Sequence, residues 1–187
     1  ALWRNEEGLL TENYAEARRI NAGSPEPLWT GGFNTELSWK GISLGIQLEA
    51  RYGNKVLNQD RSLFEADGAY GDSNIWKGAL NYWKKPGDTN VLPKPVYNNS
   101  SNSSNISTRY LEDGSYLRIK DITLAYNLPS KWTKKALMSG VRIYASALNL
   151  YTFHNMNYWD PEHGTTGATI ISYPMTRSMI VGVDITF

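Results

Sequence analysis

The sequence contains no cysteine, which excludes disulfide staples and thiolate zinc sites without fixing a redox compartment. It contains no apolar run near the roughly 18 residues of a membrane-spanning helix. An excess of one charge is missing as well. The 19 basic residues stand against 18 acidic ones for a net charge of +1, and the lysines and arginines are scattered, so no electrostatic footprint for nucleic acid is present. There is no glycine-rich phosphate loop, nucleophile elbow or His-Glu-x-x-His helix. Histidine is reduced to two, His154 and His163. They share one stretch with Asp160 and Glu162, but without a second cluster they make a poor metal site, and no metal or cofactor is expected. Ala1-Leu2-Trp3-Arg4-Asn5 is not the basic start of a signal peptide, so an exported protein with this sequence is expected to begin further upstream.

What the chain has is aromatic and turn-forming residues, 7 Trp, 12 Tyr and 16 Gly among 187, a composition that favours strands, turns and interfaces over helices. The clearest element is a hairpin. Phe33, Thr35, Leu37 and Trp39 alternate with Asn34, Glu36 and Ser38, and Ile42, Leu44, Ile46, Leu48, Ala50 and Tyr52 alternate with mostly polar residues. Only Lys40 and Gly41 separate the two runs. A two-residue turn fixes the register, pairing Trp39 with Ile42, Leu37 with Leu44, Thr35 with Ile46 and Phe33 with Leu48. One face is then apolar throughout, while the other pairs Ser38 with Ser43, Glu36 with Gly45 and Asn34 with Gln47. The second run, eleven residues long, matches the roughly 9–11 that cross a bilayer at a tilt.

Three more strands follow. Ile122, Leu124, Tyr126 and Leu128 alternate with polar or small residues, but upstream Leu117 and Ile119 carry the opposite phase, which predicts a bulge near Lys120. Val141, Ile143, Ala145 and Ala147 alternate with Arg142, Tyr144 and Ser146 up to Leu148-Asn149-Leu150. Phe187, Ile185, Val183, Val181 and Met179 share one face of the last strand. Leu2–Arg4 reads as the tail of a sixth. The connections are Lys40-Gly41, about sixty residues to Gly114, about eleven from Pro129 to Ser139 and about twenty from Tyr151 to Tyr173, so short and long links alternate against typical loops of 4–6. An outer-membrane barrel has this rhythm. Trp39, Tyr52, Tyr126 and Phe187 stand at strand ends, where an interfacial girdle places aromatics. Thr11–Ile20 reads as a short helix and Ser130–Leu137 as a capped turn.

Alternation alone leaves a β-sandwich open. Several segments carry more. Pro27–Thr35 (PLWTGGFNT), Asp113–Pro129 (DGSYLRIKDITLAYNLP), Val141–Phe153 (VRIYASALNLYTF), Trp159-Asp160-Pro161-Glu162, and Tyr173-Pro174 followed by Arg177 and Phe187 together resemble the carboxy-terminal barrel segments of SusC/RagA-type TonB-dependent outer-membrane transporters. The resemblance runs over nearly the whole chain. It implies an all-β fold: an antiparallel transmembrane β-barrel segment of five or six strands from a barrel of about 22 that is plugged by an amino-terminal domain. Residues 1–187 would be the carboxy-terminal part of the barrel, with 53–114 and 151–173 as long extracellular loops and the short turns periplasmic.

The same resemblance implies energised import of oligosaccharides or peptides through the cell outer membrane, and no enzymatic activity. Its implied partners are the plug and other strands of the same transporter, a SusD-like surface lipoprotein, the TonB complex through amino-terminal sequence this chain does not contain, and outer-membrane lipid. Glu36, Gln47, Glu49, Arg51, Arg142 and Asp184 are expected to face the lumen, and Leu44, Ile46 and Val183 the lipid. Phe187, Ile185, Val183, Val181 and Met179 would be the signal read by the barrel-assembly machinery. The last strand would pair with the first strand of the barrel, so within this chain its outer edge is expected to be bare.

Loop aromatics make platforms for sugar rings or peptide side chains. Tyr70, Trp76, Tyr82, Trp83, Tyr158 and Trp159, with Asp160, are therefore candidates for ligand or lid contact, although rings of this kind also serve to pack a loop onto itself. Asn98–Ser107 is a polar low-complexity tract and reads as a solvated, mobile loop tip. Glu36 and Glu49 invite a glycosidase reading. The register puts them four residues apart, about 13 Å along the strands, whereas the known carboxylate geometries need about 5 to 10 Å. A secreted carbohydrate-binding β-sandwich is the alternative reading, sharing the aromatics and the alternation.

Overall fold

The computed structural model describes residues 2–71, 74–89, 91–100, 102–162, 167–169, 173 and 175–187. His163 and Pro174, singled out from the sequence, lie outside the described residues. In chain order the strands and helices are β1 (Trp3–Arg4), β2 (Leu10–Thr11), β3 (Trp29–Trp39), β4 (Ile42–Tyr52), β5 (Lys55–Asn58), α1 (Gln59–Glu65), β6 (Leu111–Asp113), β7 (Tyr116–Asn127), α2 (Ser130–Thr133), β8 (Gly140–His154), β9 (Ala168–Thr169) and β10 (Ser178–Thr186). They fall into two compact units, one drawn from residues 1–24, 56–112 and 166–172, the other from 25–55, 113–165 and 173–187.

The second unit is a five-stranded antiparallel meander in the order β10–β8–β7–β4–β3. Lys40 and Gly41 both take positive φ, 48° and 87°, the backbone of a type I′ turn whose twist suits a hairpin. The turn sets the register expected from the sequence, from Trp39↔Ile42 to Phe33↔Leu48, and the pairing runs on to Trp29↔Tyr52. Lys120 is the extra residue between Gln47↔Asp121 and Leu48↔Ile119, so the phase change is a bulge, as expected. A second irregularity was not expected. Opposite Ile119 and Asp121 stand Tyr151 and Leu148, with Asn149 and Leu150 between them, and Asn149 takes φ +51°, a conformation asparagine tolerates better than most residues.

These two bulges keep the faces segregated along the full length of the long strands. One face carries Trp39, Leu37 and Phe33, then Ile42, Leu44, Ile46 and Leu48, then Leu124 and Ile122, then Ile143 and Ala145, then Val181 and Val183, all aligned by register. Toward the outer strands these side chains are open, with Met179 80% exposed, Val181 78% and Leu37 61%, while Leu44, Ile46, Leu48 and Ile122 between them are half-buried. Trp39, Tyr126 and Phe187 lie at the short-turn end, while Trp29, Tyr52 and Phe153 lie at the other, giving an aromatic row at each end of the apolar band. Both outer strands, β10 and β3, pair on one side only among the described residues.

Several expectations change here. Trp3–Arg4 is a strand, but it pairs with Leu10–Thr11 rather than adding a sixth strand to the large sheet. β8 continues through His154, so the last long connection starts at Asn155 instead of Tyr151. Thr11–Ile20 yields a single 3-10 turn, Tyr14–Glu16. The Asn13 carboxamide oxygen accepts from the Ala15 N–H, and the Glu16 carboxylate accepts from Thr11 Oγ1 and Asn13 Nδ2. These short side chains capture the local donors that a longer helix would need. Ser130–Leu137 holds α2 and a 3-10 turn at Lys134–Ala136, but Pro129 occupies the N-cap position, so no side chain caps the helix.

The first unit has little apolar core and is tied by polar groups instead. It contains the β1–β2 pair and a small β6–β5–β9 sheet, with Leu57 opposite Ala168 and Asn58 opposite Thr169. Arg61 bridges Glu65 and Glu112, each at 2.7 Å, and Arg109 reaches Glu65 at 3.0 Å as well as Asp67. Asn98–Ser107 is no solvated tip. Asn99 and Ser103 are buried, the Ser103 hydroxyl sits 2.7 Å from Asp67 Oδ2, and Asn99 Nδ2 donates to Ser104 Oγ at 2.6 Å. Asn98, Asn99 and Asn102 take positive φ, so the tract winds into turns that its own side chains satisfy. Ser101 lies outside the described residues.

Candidate functional site

The polar face of the large sheet brings Glu36, Gln47, Glu49, Arg51, Arg142 and Asp184 to one side, because each stands an even number of ladder positions from the others once the Lys120 bulge is counted. Arg142 and Asp184 are directly opposed and bonded at 3.0 Å. Asp121, Thr123 and Ser146 close a hydrogen-bonded triangle, with Thr123 Oγ1 2.7 Å from Asp121 and 2.9 Å from Ser146, and the Ser146 hydroxyl 3.0 Å from Asp121. Glu36 has no ion-pair partner among the described residues.

The dense part lies at the long-connection end of β4, β7 and β8. Arg118 stands between Glu49 on β4 and Thr152 on β8, and its side chain is 0% exposed. Its Nε donates to Thr152 Oγ1 at 2.9 Å, its two terminal nitrogens donate to Asp160 and Glu162, and its guanidinium carbon lies 5.4 Å from the Tyr116 ring centroid. Around it the Tyr116 hydroxyl donates to Glu49 at 2.8 Å. Lys120 bridges Glu49 at 2.9 Å and Glu162 at 3.3 Å, and Arg51 approaches Glu49 at 3.7 Å. A fully desolvated guanidinium is tolerated only with its fork filled. Two carboxylates from one loop fill it, so residues 155–162 are tethered to the polar face. The Glu162 N–H also donates to Asp160 Oδ1 at 2.9 Å, fixing the two carboxylates relative to each other.

This assigns Asp160 a structural partner that the sequence did not reveal. In the same loop Tyr158 is exposed, at φ +68°, and Trp159 is half-buried. Tyr70, Trp76, Tyr82 and Trp83 belong to the other unit. Trp76 packs edge-on against Phe64 with centroids 5.5 Å apart, the Lys84 ammonium lies 5.4 Å from the Tyr82 ring centroid, and Tyr70 and Trp83 are exposed. Glu36 and Glu49 hold the four-residue separation read from the sequence, opposite Gly45 and Gly32, and Glu49 is occupied by Lys120 and Tyr116. No group of three metal-ligating side chains occurs among the described residues.

Sequence reasoning passed over Arg118, Tyr116, Lys120 and Glu162 as a set, although the phase change at Lys120 was the signal that moves Arg118 to the charged face. It also missed a cleft of about 960 Å³ in the first unit, lined by parts of residues 2–22 and 103–111. Beside it, Tyr110 is fully buried. Burial pushes its phenol up to about 12, although the Arg109 charge pulls the other way.

No family model matches the chain. Its curated relatives include the TonB-dependent receptor P3 of Formosa agariphila, 30% identical over 182 residues that make up 91% of this chain and 17% of that receptor. The TonB-dependent receptor P26 of the same organism is 27% identical over 98% of this chain and 19% of its own length. The chain therefore spans less than a fifth of these relatives. Among solved structures, the RagAB peptide transporter superposes with a TM-score of 0.82 at 30% identity, over 100% of this chain and 20% of that one. The RagAB peptide importer in its closed-closed state gives 0.80 at 30% over 98%. The sequence segments, the two-faced antiparallel wall and these likenesses agree: the chain belongs to the SusC/RagA-type TonB-dependent transporters and forms a segment of their β-barrel.

Proposed function

We propose that the complete protein is an outer-membrane importer energised through TonB, taking up oligosaccharides or peptides with a SusD-like surface lipoprotein, and that this chain supplies wall and vestibule. The observation that carries the reading is the two-faced sheet. Its apolar side chains stand open on one face between two aromatic rows while its charges gather on the other, which is what lipid outside and water inside demand of a barrel. A secreted β-sandwich would bury Leu37, Met179 and Val181 against a second sheet, and their exposure speaks against it. The name of the RagAB importer supports a peptide as cargo.

In this reading Glu36, Gln47, Glu49, Arg51, Arg142 and Asp184 face the lumen, and Met179, Val181, Val183, Ile185 and Phe187 present the assembly signal. The connections after β4 and β8 lie outside the cell, the turns after β3 and β7 in the periplasm. The loop at residues 155–162, tied to the polar face through Arg118, narrows the lumen, and Tyr158 and Trp159 offer rings to passing cargo. Tyr70, Trp76, Tyr82 and Trp83 are candidates for contact with the lid. The test is uptake of fluorescent peptides and oligosaccharides by cells with and without the full-length gene. Uptake that needs the gene and collapses with a proton uncoupler supports import; uptake indifferent to both contradicts it. Co-purification of a surface lipoprotein with the full-length protein checks the partner.

A further inference from the structure

The first unit contains a cleft that the barrel reading does not use. Tyr14 anchors the amino-terminal segment by donating its hydroxyl to the Ile106 carbonyl at 2.8 Å and by an edge-on contact with Trp3 at 5.0 Å. Beyond it residues 17–24 have no regular secondary structure and are held at Arg18, whose N–H donates to the Arg4 carbonyl at 2.8 Å. The backbones of Arg19, Ile20 and Ala22 have no hydrogen-bond partner among the described residues. Between this segment and residues 103–111 lies the cleft of about 960 Å³, at the upper end of the roughly 300–1,000 Å³ typical of ligand sites.

Its lining is charged with one sign. Arg4, Arg18, Arg19 and Arg109 border it, and among the described residues no aspartate or glutamate does. Arg109 is neutralised by Asp67 and Glu65. The other three have no carboxylate partner among the described residues. Leu2, Trp3, Tyr14, Ile20, Ile106 and Leu111 supply the apolar part of the lining, and Leu2, Ile20 and Ile106 are exposed. A segment with unpaired N–H and C=O groups suits a second main chain added alongside it.

We propose that this cleft binds a diffusible acidic peptide in extended form, its carboxylates on Arg4, Arg18 and Arg19 and its apolar side chains against Leu2, Ile20, Ile106 and Leu111. The inference rests on the importer reading and adds a cargo chemistry to it. The test uses the full-length transporter in detergent and two fluorescein-labelled hexapeptides, Leu-Glu repeated three times and its Leu-Gln counterpart, followed by anisotropy. The glutamate peptide binds at least about tenfold tighter, and 0.5 M salt closes most of the gap by screening. Arg18 and Arg19 are exposed and unpaired, so the double variant R18Q/R19Q folds; it loses at least about tenfold for the glutamate peptide, as lost charge-assisted hydrogen bonds require, and leaves the glutamine peptide unchanged. Equal affinity for the two peptides, or a double variant that binds as the parent does, overturns the proposal. So does displacement by an acidic oligosaccharide at lower concentration than by unlabelled peptide. Heat-modifiable migration of the same samples keeps the two readings apart: a folded barrel that ignores the glutamate peptide refutes the cleft and spares the transporter.

Discussion

Replacing Arg118 by methionine isolates the tether that holds residues 155–162 against the polar face. The substitution keeps much of the side-chain bulk and removes three hydrogen-bonded contacts, those to Thr152, Asp160 and Glu162. Removing one partner of a buried ion pair costs about 3–5 kcal/mol, because the remaining charge is stranded away from water. Here the Asp160 and Glu162 side chains keep 13% and 20% exposure and Lys120 still reaches Glu162, so the lower end, about 3 kcal/mol, applies. That raises the open population of the loop about a hundredfold. Met156, in the same loop, is buried. The chain lacks cysteine, so Met156→Cys in a full-length transporter freed of other cysteines gives a single reporter. Its maleimide labelling rate follows the open fraction when closing is fast. R118M should accelerate labelling about a hundredfold, and adding D160N and E162Q should recover most of the loss by removing the stranded charges. Labelling that stays within twofold in R118M would refute the tether.

Other perturbations probe other parts. Ile46→Arg places a charge on the apolar face between Thr35 and Ile122 and should cost about 2–4 kcal/mol in the bilayer, read as a lower yield of heat-modifiable protein in outer-membrane fractions. Gly68→Ala should destabilise the first unit by more than about 2 kcal/mol, since a Cβ there would meet the Val96 carbonyl at φ +85°; faster limited proteolysis within residues 56–112 checks it. Burial pushes the Tyr110 phenol from its ordinary value of 10 up to about 12, so the folded unit keeps the proton longer. That stabilisation is complete below pH 10 and is lost as pH rises through 12. Protease resistance of the unit should fall across that window and stay flat there in Tyr110→Phe. Deleting Lys120 leaves Ile119 next to Asp121 and makes the ladder to β4 regular, with Arg118 still opposite Glu49; the barrel should fold, and loss of the bridge from Lys120 to Glu49 and Glu162 should raise the labelling rate at Met156→Cys.

The large sheet was legible because it obeys a period of two and its first turn has two residues. Trp39↔Ile42 follows from Lys40-Gly41, and every later pair of β3 with β4 follows from that one. The Lys120 bulge was legible for the same reason, as a break in phase. The Asn149–Leu150 bulge was not, because Leu148 and Leu150 flank it with apolar side chains and hide the slip; asparagine in the left-handed region was the faint signal. Trp3–Arg4 misled because two residues carry no periodicity and cannot announce their partner.

The first unit was hidden for a different reason. Asp67, Asn99, Ser103 and Arg109 are held by hydrogen bonds between residues up to 42 positions apart, and such pairings leave no periodic trace. Asn98–Ser107 therefore looked like solvent-loving low complexity, while Asn99 and Ser103 within it turn inward. The site shows both behaviours. Glu49 and Arg51 were placed on the charged face from alternation, but their link to Asp160 and Glu162 through Arg118 and Lys120 joins β4, β7 and a loop, which only the three-dimensional pairing reveals.

The claim that the sheet divides lipid from water is tested most directly on β4. Spin labels placed one at a time from Ile42 to Leu48 in the full-length transporter, reconstituted in bilayers, report collision with oxygen or with a water-soluble nickel chelate. Labels at 42, 44, 46 and 48 should favour oxygen and those at 43, 45 and 47 the chelate, alternating with a period of two. A uniform profile, or chelate access at 44 and 46, would contradict the account.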